Sequence, residues 1–542
     1  MKQKYIDWPT FIGAFILLLL VTVPLIIFPD EGKEFVSIAN TFVTTNFGVL
    51  YLAMGLIIFS FLIFVAFSKN GHVKLGEEGE KPEFNTLSWA AMLFAAGIGS
   101  SILYWSVIEW VYYFQGPPFG VEAETNEAIQ WATAYGIFHW GPIAWAIYTL
   151  PALPIAYFFY VRKRPVLKVS EAVRPVLGNW VDGPIGNLID ILFMFGLLGG
   201  AGTTLALGTP MIAEGVHLLT GIPVTLFMQA VIMIVCTTIF AISAYSGLRK
   251  GIKLLSDINL WLALFILAFV LILGPTRFIV ETTFNSLGIL LDNFFKMSTW
   301  VEPFGNLGGF TESGFPEGWT VFYWAWWLVY APFVGLFVAR ISRGRTIREM
   351  VLGTMVYGTL GCVLFFGILG NFGLYMQLTG SFDAIAFMDQ NGPAATIIAI
   401  INQLPFSNLI VLVFTILAVI FLATTFDSSS YILASVVQKE VEGEPIRWNR
   451  LFWAFSLCIM PLVLLFLGGL GTLQTASIIG GFPLIFIMFL LAWSFMRASN
   501  RDITKSDDYE SPTIYIKRWR RRKKRSSLEV LEDKDQGRNK DE

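Results

Sequence analysis

The chain has 542 residues, 55% of them hydrophobic and only 14% charged, with a formal net charge of −2. Soluble domains carry roughly 25% charged residues, so a deficit over this length excludes an ordinary soluble domain or a nucleic-acid binder and points to a chain that crosses a membrane many times. Cys236, Cys362 and Cys458 fall inside apolar runs, the three histidines form no metal-ligand pattern, and no phosphate loop or nucleophile–base pair is present; no disulfide framework, bound cofactor or enzymatic activity is expected.

Apolar runs of about 20 residues, the length that crosses a hydrocarbon core, recur about twelve times. Their cores are 10–28, 46–67, 86–114, 128–160, 186–215, 223–246, 255–275, 319–339, 350–375, 405–436, 450–468 and 473–496. The first follows only Lys2 and Lys4 and precedes no small-residue cleavage site, so it reads as a retained helix rather than a signal peptide. The spans alternate from a cytosolic N-terminus, which places 34 of the 37 Lys and Arg residues on the cytosolic side and only Lys33, Arg277 and Lys296 outside. Without the tail from Arg497, which holds 14 of them, the ratio is still 20 to 3. The positive-inside rule then expects a multi-pass plasma-membrane protein with both termini in the cytosol.

In chain order, residues 1–85 hold two helices and a polar linker at 69–85, and residues 86–275 hold five further spans. The third span, "FAAGIGSSILYWSVIEWVYYFQ" (Phe94–Gln115), carries Gly97, Gly99, Ser100 and Ser101 together. Glycines at mid-membrane depth let a helix unwind and free backbone groups for a polar ligand or an ion; close helix packing by small residues is the other reading. The fourth span holds "FHWGPIAWAIY" (Phe138–Tyr148), in which Trp140 precedes a Gly141–Pro142 bend and Trp145 and Tyr148 are three apart. The fifth and tenth spans are long and interrupted by Gly, Ser and Thr, where a kink is expected.

Residues 276–318 form a connector whose centre, "FNSLGILLDNFFKM", has helical apolar spacing and suits the outer membrane face. Residues 319–497 hold the last five spans. They begin in "GWTVFYWAWWLVYAPFVG" (Gly318–Gly335), which has four tryptophans and no charge. Interfacial belts gather such rings. Yet Trp324, Trp327 and Tyr330, at i, i+3 and i+6, share a helix face, and the fourth span offers a second cluster. Two facing sets of rings suit a quaternary ammonium, which each ring attracts by ~0.5–2 kcal/mol and whose methyl groups need no hydrogen bonds. Further on, "FLATTFDSSSYI" (Phe421–Ile432) surrounds Asp427 with hydroxyls. Thr424 and Thr425 there suit a hard cation such as sodium, or bond back to their own helix. The tail, 498–542, is polar and expected to be disordered. Its "KRWRRRKKR" run (Lys517–Arg525) either marks the cytosolic side or binds anionic lipid.

Four of these segments, "AAGIGSSILYW", "FHWGPIAWAIY", "GWTVFYWAWWLVYAPFVGLFVARISRGRTIRE" and "TTFDSSS", resemble the betaine/choline/carnitine transporter (BCCT) family, and the likeness runs from about Tyr5 to Arg497. The resemblance implies an all-α integral membrane protein of the LeuT type, with two five-helix inverted repeats behind two extra N-terminal helices, assembled as a homotrimer. By position it implies an aromatic box of Trp140, Trp145, Tyr148 and Trp327, flanked by Tyr112, Trp326 and Tyr330. Trp319 and Trp324 would line an access path. Ala95, Ile98, Phe421, Thr424 and Thr425 match a sodium site. A further sodium site of the family would need hydroxyls where Leu197 and Ala201 stand, although Phe333 fits. The sodium-independent exchangers would need a methionine near Val334 and an arginine near Lys253. Sodium-coupled import is therefore expected, with exchange as the alternative and a ligand-binding channel or sensor as the rival class.

Choline carriers of this family tend to have an aspartate where Ser101 stands. With no anion expected nearby, a zwitterion fits better, its carboxylate meeting backbone N–H groups near Gly97–Gly99. Glycine betaine comes first and carnitine second. Related osmoprotectant carriers sense osmotic stress through a charged C-terminal tail, and the same is expected here. Deleting 517–542 should abolish the rise of uptake with external osmolality; unchanged activation would remove that role from the tail.

Overall fold

The computed structural model describes residues 6–97, 99–164, 168–245, 251–305, 307–309, 311–439, 445–467 and 470–505. Among them all regular structure is helical, apart from two isolated bridges, Ile6 with Gln438 and Lys74 with Thr346. Residues up to Phe495 form one compact unit; the second, from Met496, is described only as far as the helix end at Lys505.

Two long helices come first, α1 (Trp8–Ile27) and α2 (Pro29–Phe67), each with proline in its first turn. Proline suits that position because its missing N–H would be unpaired there anyway. A first set follows: α3 (Thr86–Gly97), α4 (Ser100–Gln115), α5 (Asn126–His139), α6 (Pro142–Ala156), the short α7 (Val169–Ala172) and α8 (Arg174–Leu177), α9 (Pro184–Thr220), α10 (Leu226–Tyr245) and α11 (Gly251–Leu273). α12 (Thr276–Thr299) then turns by 110° from the helix before it. It exposes Phe284, Leu291 and Phe295 while burying Ile279, Leu290 and Met297. The second set comprises α13 (Phe322–Ile341), α14 (Ile347–Phe365), α15 (Asn371–Thr379), α16 (Ala384–Ile401), α17 (Ser407–Val436), α18 (Arg447–Ser456), α19 (Ile459–Leu467) and α20 (Leu470–Lys505).

Ten described helices are long and apolar enough to cross a membrane, eleven if the bent pair around Pro275 is one span. The twelve expected from hydropathy differ for local reasons. The third is two helices of 12 and 16 residues, and the sixth is described as an apolar helix over Leu226–Ile242 alone, short of the length that qualifies. Conversely α16, which hydropathy does not lead one to expect, qualifies by length and is kinked at Gly392, where φ is 80° ahead of Pro393.

Two breaks shape the interior. Between α3 and α4 the chain is extended at Gly99 (φ −86°, ψ −170°). Between α5 and α6, Gly141 leaves helical geometry (ψ −137°) and Pro142 restarts the helix. A Cβ at Gly141 would lie 2.4 Å from the Ile137 carbonyl oxygen, so the bend needs a glycine.

α6 and α13 form the most extensive helix pair, and Gly335 lets them touch, since a Cβ there would lie 2.9 Å from the Ala152 nitrogen. α14 packs on the other side of α6, with the Trp145 indole pressed onto Gly358 (2.0 Å from the position a Cβ would occupy). Overpacking a close contact costs about 1–3 kcal/mol. Gly358→Val should therefore lower the melting temperature of the detergent-purified protein by several degrees; an unchanged melting temperature would contradict this seating of Trp145.

Candidate functional site

The breaks bring five elements together. Gly99 and Ser101 from the start of α4, Trp140 and Tyr148 beside and within α6, Thr204 from α9, Trp326, Trp327, Tyr330, Phe333 and Val334 from α13, and Thr425 from α17 line one buried cavity. Trp326 and Trp327 stack nearly parallel, with centroids 5.2 Å apart and planes at 11°. Trp140 stands edge-on to both, at 4.7 Å and 71° from Trp327 and 6.0 Å and 82° from Trp326. Tyr148 meets Trp327 edge-on at 5.6 Å. The rings close on about 30 Å³, where a single water needs roughly 10–15 Å³. A trimethylammonium group can enter only if the lining side chains move apart.

Hydrogen bonds fix the walls. The Trp327 indole donates to the His139 carbonyl at 2.9 Å, tying α13 to the last turn of α5. Ser101 donates to Thr204 at 3.2 Å, and Thr204 pairs with the Tyr330 hydroxyl at 2.7 Å, so α4, α9 and α13 are joined beside the cavity. Two kinds of donor remain. The first N–H groups of α4 follow an N-cap, Gly99, whose lack of a side chain leaves them uncapped; a helix N-terminus attracts anions. The Trp326 indole N–H, on a cavity-lining residue, has no partner among the described residues. No described lysine or arginine lines the space.

Of the residues expected to bind substrate, the structure gathers Trp140, Tyr148, Trp326, Trp327, Tyr330, Gly99 and Ser101 at the cavity. It places the others elsewhere. Trp145 does not line the cavity but faces Gly358 on α14. Trp324, fully buried, packs on Phe138 and on Gly55 of α2. Three residues advance a helix by about 300°, so each tryptophan sits roughly 60° off the tyrosine or tryptophan it was grouped with, enough to reach a different neighbour. Tyr112 and Trp319 do not line the cavity; they pack on each other at 5.2 Å beside Trp105, in a ring network that reaches Trp326 and Trp327 through Tyr323. The side chains of Ala95 and Lys253, the side of Gly97, and residues Ile98 and Lys517–Arg525 lie outside the described residues.

Of the expected sodium ligands, Phe421, Thr424 and Thr425 are among the described residues. Thr425 lines the cavity, its hydroxyl 3.1 Å from where a Gly99 Cβ would stand. The hydroxyls of Thr424 and Thr425 both donate to the Phe421 carbonyl, at 3.0 and 2.9 Å. The Thr424 hydroxyl reaches the Ile420 carbonyl equally well, at 3.0 Å, and both threonine oxygens keep lone pairs for a cation. Asp427 forms a buried ion pair with Arg450 of α18 at 2.5 Å, and Ser429 and Ser430 bond back to their own helix.

The expectation of no anion near the cage is overturned. Glu109, 1% exposed, lies in α4 behind Trp140. It accepts from the Trp140 indole at 3.2 Å, from the Tyr323 hydroxyl at 2.5 Å and from the Tyr113 hydroxyl at 2.5 Å. Tyr113 also pairs with His139 Nδ1 at 2.8 Å, and His139 Nε2 with Thr320 at 3.0 Å. A signal is present in the sequence: Glu109 is the one charge between Phe94 and Gln115, and an ionisable residue inside a span is a site candidate by default.

Comparison with known proteins identifies the family. The family model described as "BCCT, betaine/carnitine/choline family transporter" matches residues 9–504. The glycine betaine transporter OpuD of Bacillus subtilis is 36% identical, over 90% of this chain and 94% of its own. A carnitine transporter of Acinetobacter baumannii is 34% identical, over 88% and 86%. The osmo-dependent choline transporter BetT2 of Acinetobacter baylyi is 34% identical, over 88% and 69%. Among solved structures, a sodium-coupled sialic acid symporter in a substrate-bound outward-open state aligns over 84% of this chain and 86% of that one, at 14% identity and a TM-score of 0.40.

The closed rings give a direct prediction. Binding of a quaternary ammonium should move the lining side chains apart and change tryptophan fluorescence. Trp327→Leu should abolish the change and weaken binding at least about tenfold, the loss of one strong ring contact. Wild-type affinity in that variant would place the ligand elsewhere.

Proposed function

The chain belongs to the betaine/carnitine/choline transporter family, and on that premise we propose that it imports a quaternary-ammonium zwitterion, glycine betaine before carnitine, together with sodium. As a family member it is a multi-pass membrane transporter of quaternary-ammonium compounds and not an enzyme. The proposal further places it in the cell membrane, with both termini in the cytosol, as a homotrimer whose basic tail meets anionic lipid.

The observation that carries the reading is the meeting of three indoles and Tyr148 with the uncapped start of α4. A methylated nitrogen among the rings gains about 0.5–2 kcal/mol from each, more when water is excluded. A carboxylate on the same molecule reaches the α4 N–H groups, where the helix dipole favours negative charge. The cage and the helix end therefore suit the two poles of one small zwitterion. Sodium fits the oxygen-only chemistry of Thr424 and Thr425 beside the Gly99 break, so an ion there would order the segment that meets the substrate. Alternating access would then move one group of helices about the loaded cavity.

One observation favours a second reading, sodium-independent exchange of carnitine-like substrates. Leu197 and Ala201 carry no hydroxyls where a further sodium would sit.

Counterflow of labelled substrate into proteoliposomes distinguishes these. Glycine betaine, carnitine, choline, γ-butyrobetaine and proline should be compared in sodium and in potassium. The proposal expects uptake of glycine betaine that falls at least about tenfold, some 1.4 kcal/mol, when potassium replaces sodium, and little competition by proline. Equal exchange in both salts would establish the second reading, and the absence of counterflow would reduce the protein to a sensor or channel.

A further inference from the structure

The Glu109 cluster has a charge imbalance. Its carboxylate accepts from three neutral donors on three elements: Tyr113 on α4, Trp140 at the α5–α6 bend and Tyr323 on α13. Tyr113, Trp140 and Tyr323 can each donate to it, which satisfies both oxygens of the ionised form. The basic group within ion-pair distance is His139, whose Nδ1 lies 3.9 Å from Glu109 Oε1. When Tyr113 gives its one proton to an ionised Glu109, its oxygen accepts from Nδ1–H, and in the neutral ring Nε2 accepts from the Thr320 hydroxyl. This assignment leaves His139 neutral.

Glu109, His139, Tyr113 and Tyr323 are all at most 1% exposed. A buried anion held by neutral donors alone is costly unless a positive charge compensates it. Among the described residues no lysine or arginine does so. By contrast another buried carboxylate, Asp427, has Arg450.

Glu109 is bonded to the N–H of Trp140, whose ring meets Trp327 at 4.7 Å across the cavity. A carboxylate on an indole N–H polarises that bond toward the ring and makes the π faces more negative. Its own charge also attracts a cation resting on the ring. We propose that Glu109 is a specificity-determining positioning residue: it holds Trp140 and Tyr323 in place and supplies the fixed negative charge that the bound substrate's ammonium neutralises. It does not touch the substrate and acts through Trp140. The cage thereby selects a charged trimethylammonium group over a neutral group of the same shape, beyond what bare rings would do. This rests on the quaternary-ammonium reading above.

The test compares choline with 3,3-dimethylbutan-1-ol, in which carbon replaces the charged nitrogen, on the full-length protein in detergent. The same pairing is made for glycine betaine and 3,3-dimethylbutanoate. Wild type should prefer the ammonium-bearing member of each pair. In Glu109→Gln the preference should fall about tenfold, equivalent to about 1.4 kcal/mol, through weaker binding of the ammonium compound with its tert-butyl counterpart little changed. Glu109→Asp, which keeps the charge, should restore most of it. A second variant keeps the question open to refutation if Glu109→Gln does not fold. Placing 3-benzothienylalanine at position 140 retains a ring of the same shape but cuts its bond to Glu109, and should give the same fall. An undiminished preference in either variant would reduce Glu109 to a structural tie. Absence of any preference in wild type would instead overturn the quaternary-ammonium reading itself.

Discussion

Inside a hydrocarbon layer a backbone N–H or C=O that has no partner is expensive, so a helix broken at depth must border a polar space of its own making. The rest of this architecture depends on two such breaks. At Gly99 the third expected span becomes α3 and α4, and the start of α4 opens onto the cavity. At Gly141 the fourth becomes α5 and α6, and Trp140, the C-cap of α5, meets Trp327 of α13. Small residues then bring the remaining walls close. Gly335 admits α6 to α13, and Gly200 admits α9, since a Cβ there would lie 2.6 Å from Val329 and 3.2 Å from the Tyr330 ring.

The break also arranges charge along one helix. α4 presents uncapped N–H groups at its start and a carboxylate, Glu109, nine residues on, about 13–14 Å along the axis. Trp140 touches that carboxylate and the cavity at once. A single 16-residue helix thus offers a positive pole to an anion and a negative pole to a cation, with aromatic rings between them. This suits a zwitterion. A lone cation is suited by the carboxylate end alone, which is why choline belongs beside glycine betaine among the candidates.

Much of this is legible in the chain. Charge deficit and apolar runs give a many-helix membrane protein, and the Gly–Pro and Gly-x-Gly patterns locate both breaks. Composition and bends single out the rings of Trp140, Trp327 and Tyr330. What escapes the sequence is finer than a turn of helix. Trp145 and Trp324 sit three residues from cavity-lining rings, and a rotation of about 60° hands them to Gly358 and Gly55, glycines remote in sequence. Linear spacing cannot reveal such partners. Thr204, which links Ser101 to Tyr330, gives no signal among the hydroxyls of its span. Glu109 is different: it stands alone among apolar residues, yet the hydroxyl-rich run around Asp427 is the louder pattern. That second carboxylate is satisfied by a salt bridge to Arg450.

The account stands on a methylated nitrogen being held by the faces of Trp140 and Trp327. The most direct measurement is substrate affinity with progressively fluorinated tryptophan at position 327 and then at 140, because each fluorine weakens the ring's attraction for a cation while barely altering its shape. The account predicts that the logarithm of the dissociation constant rises in step with fluorine number at both positions. A flat series at both would contradict it.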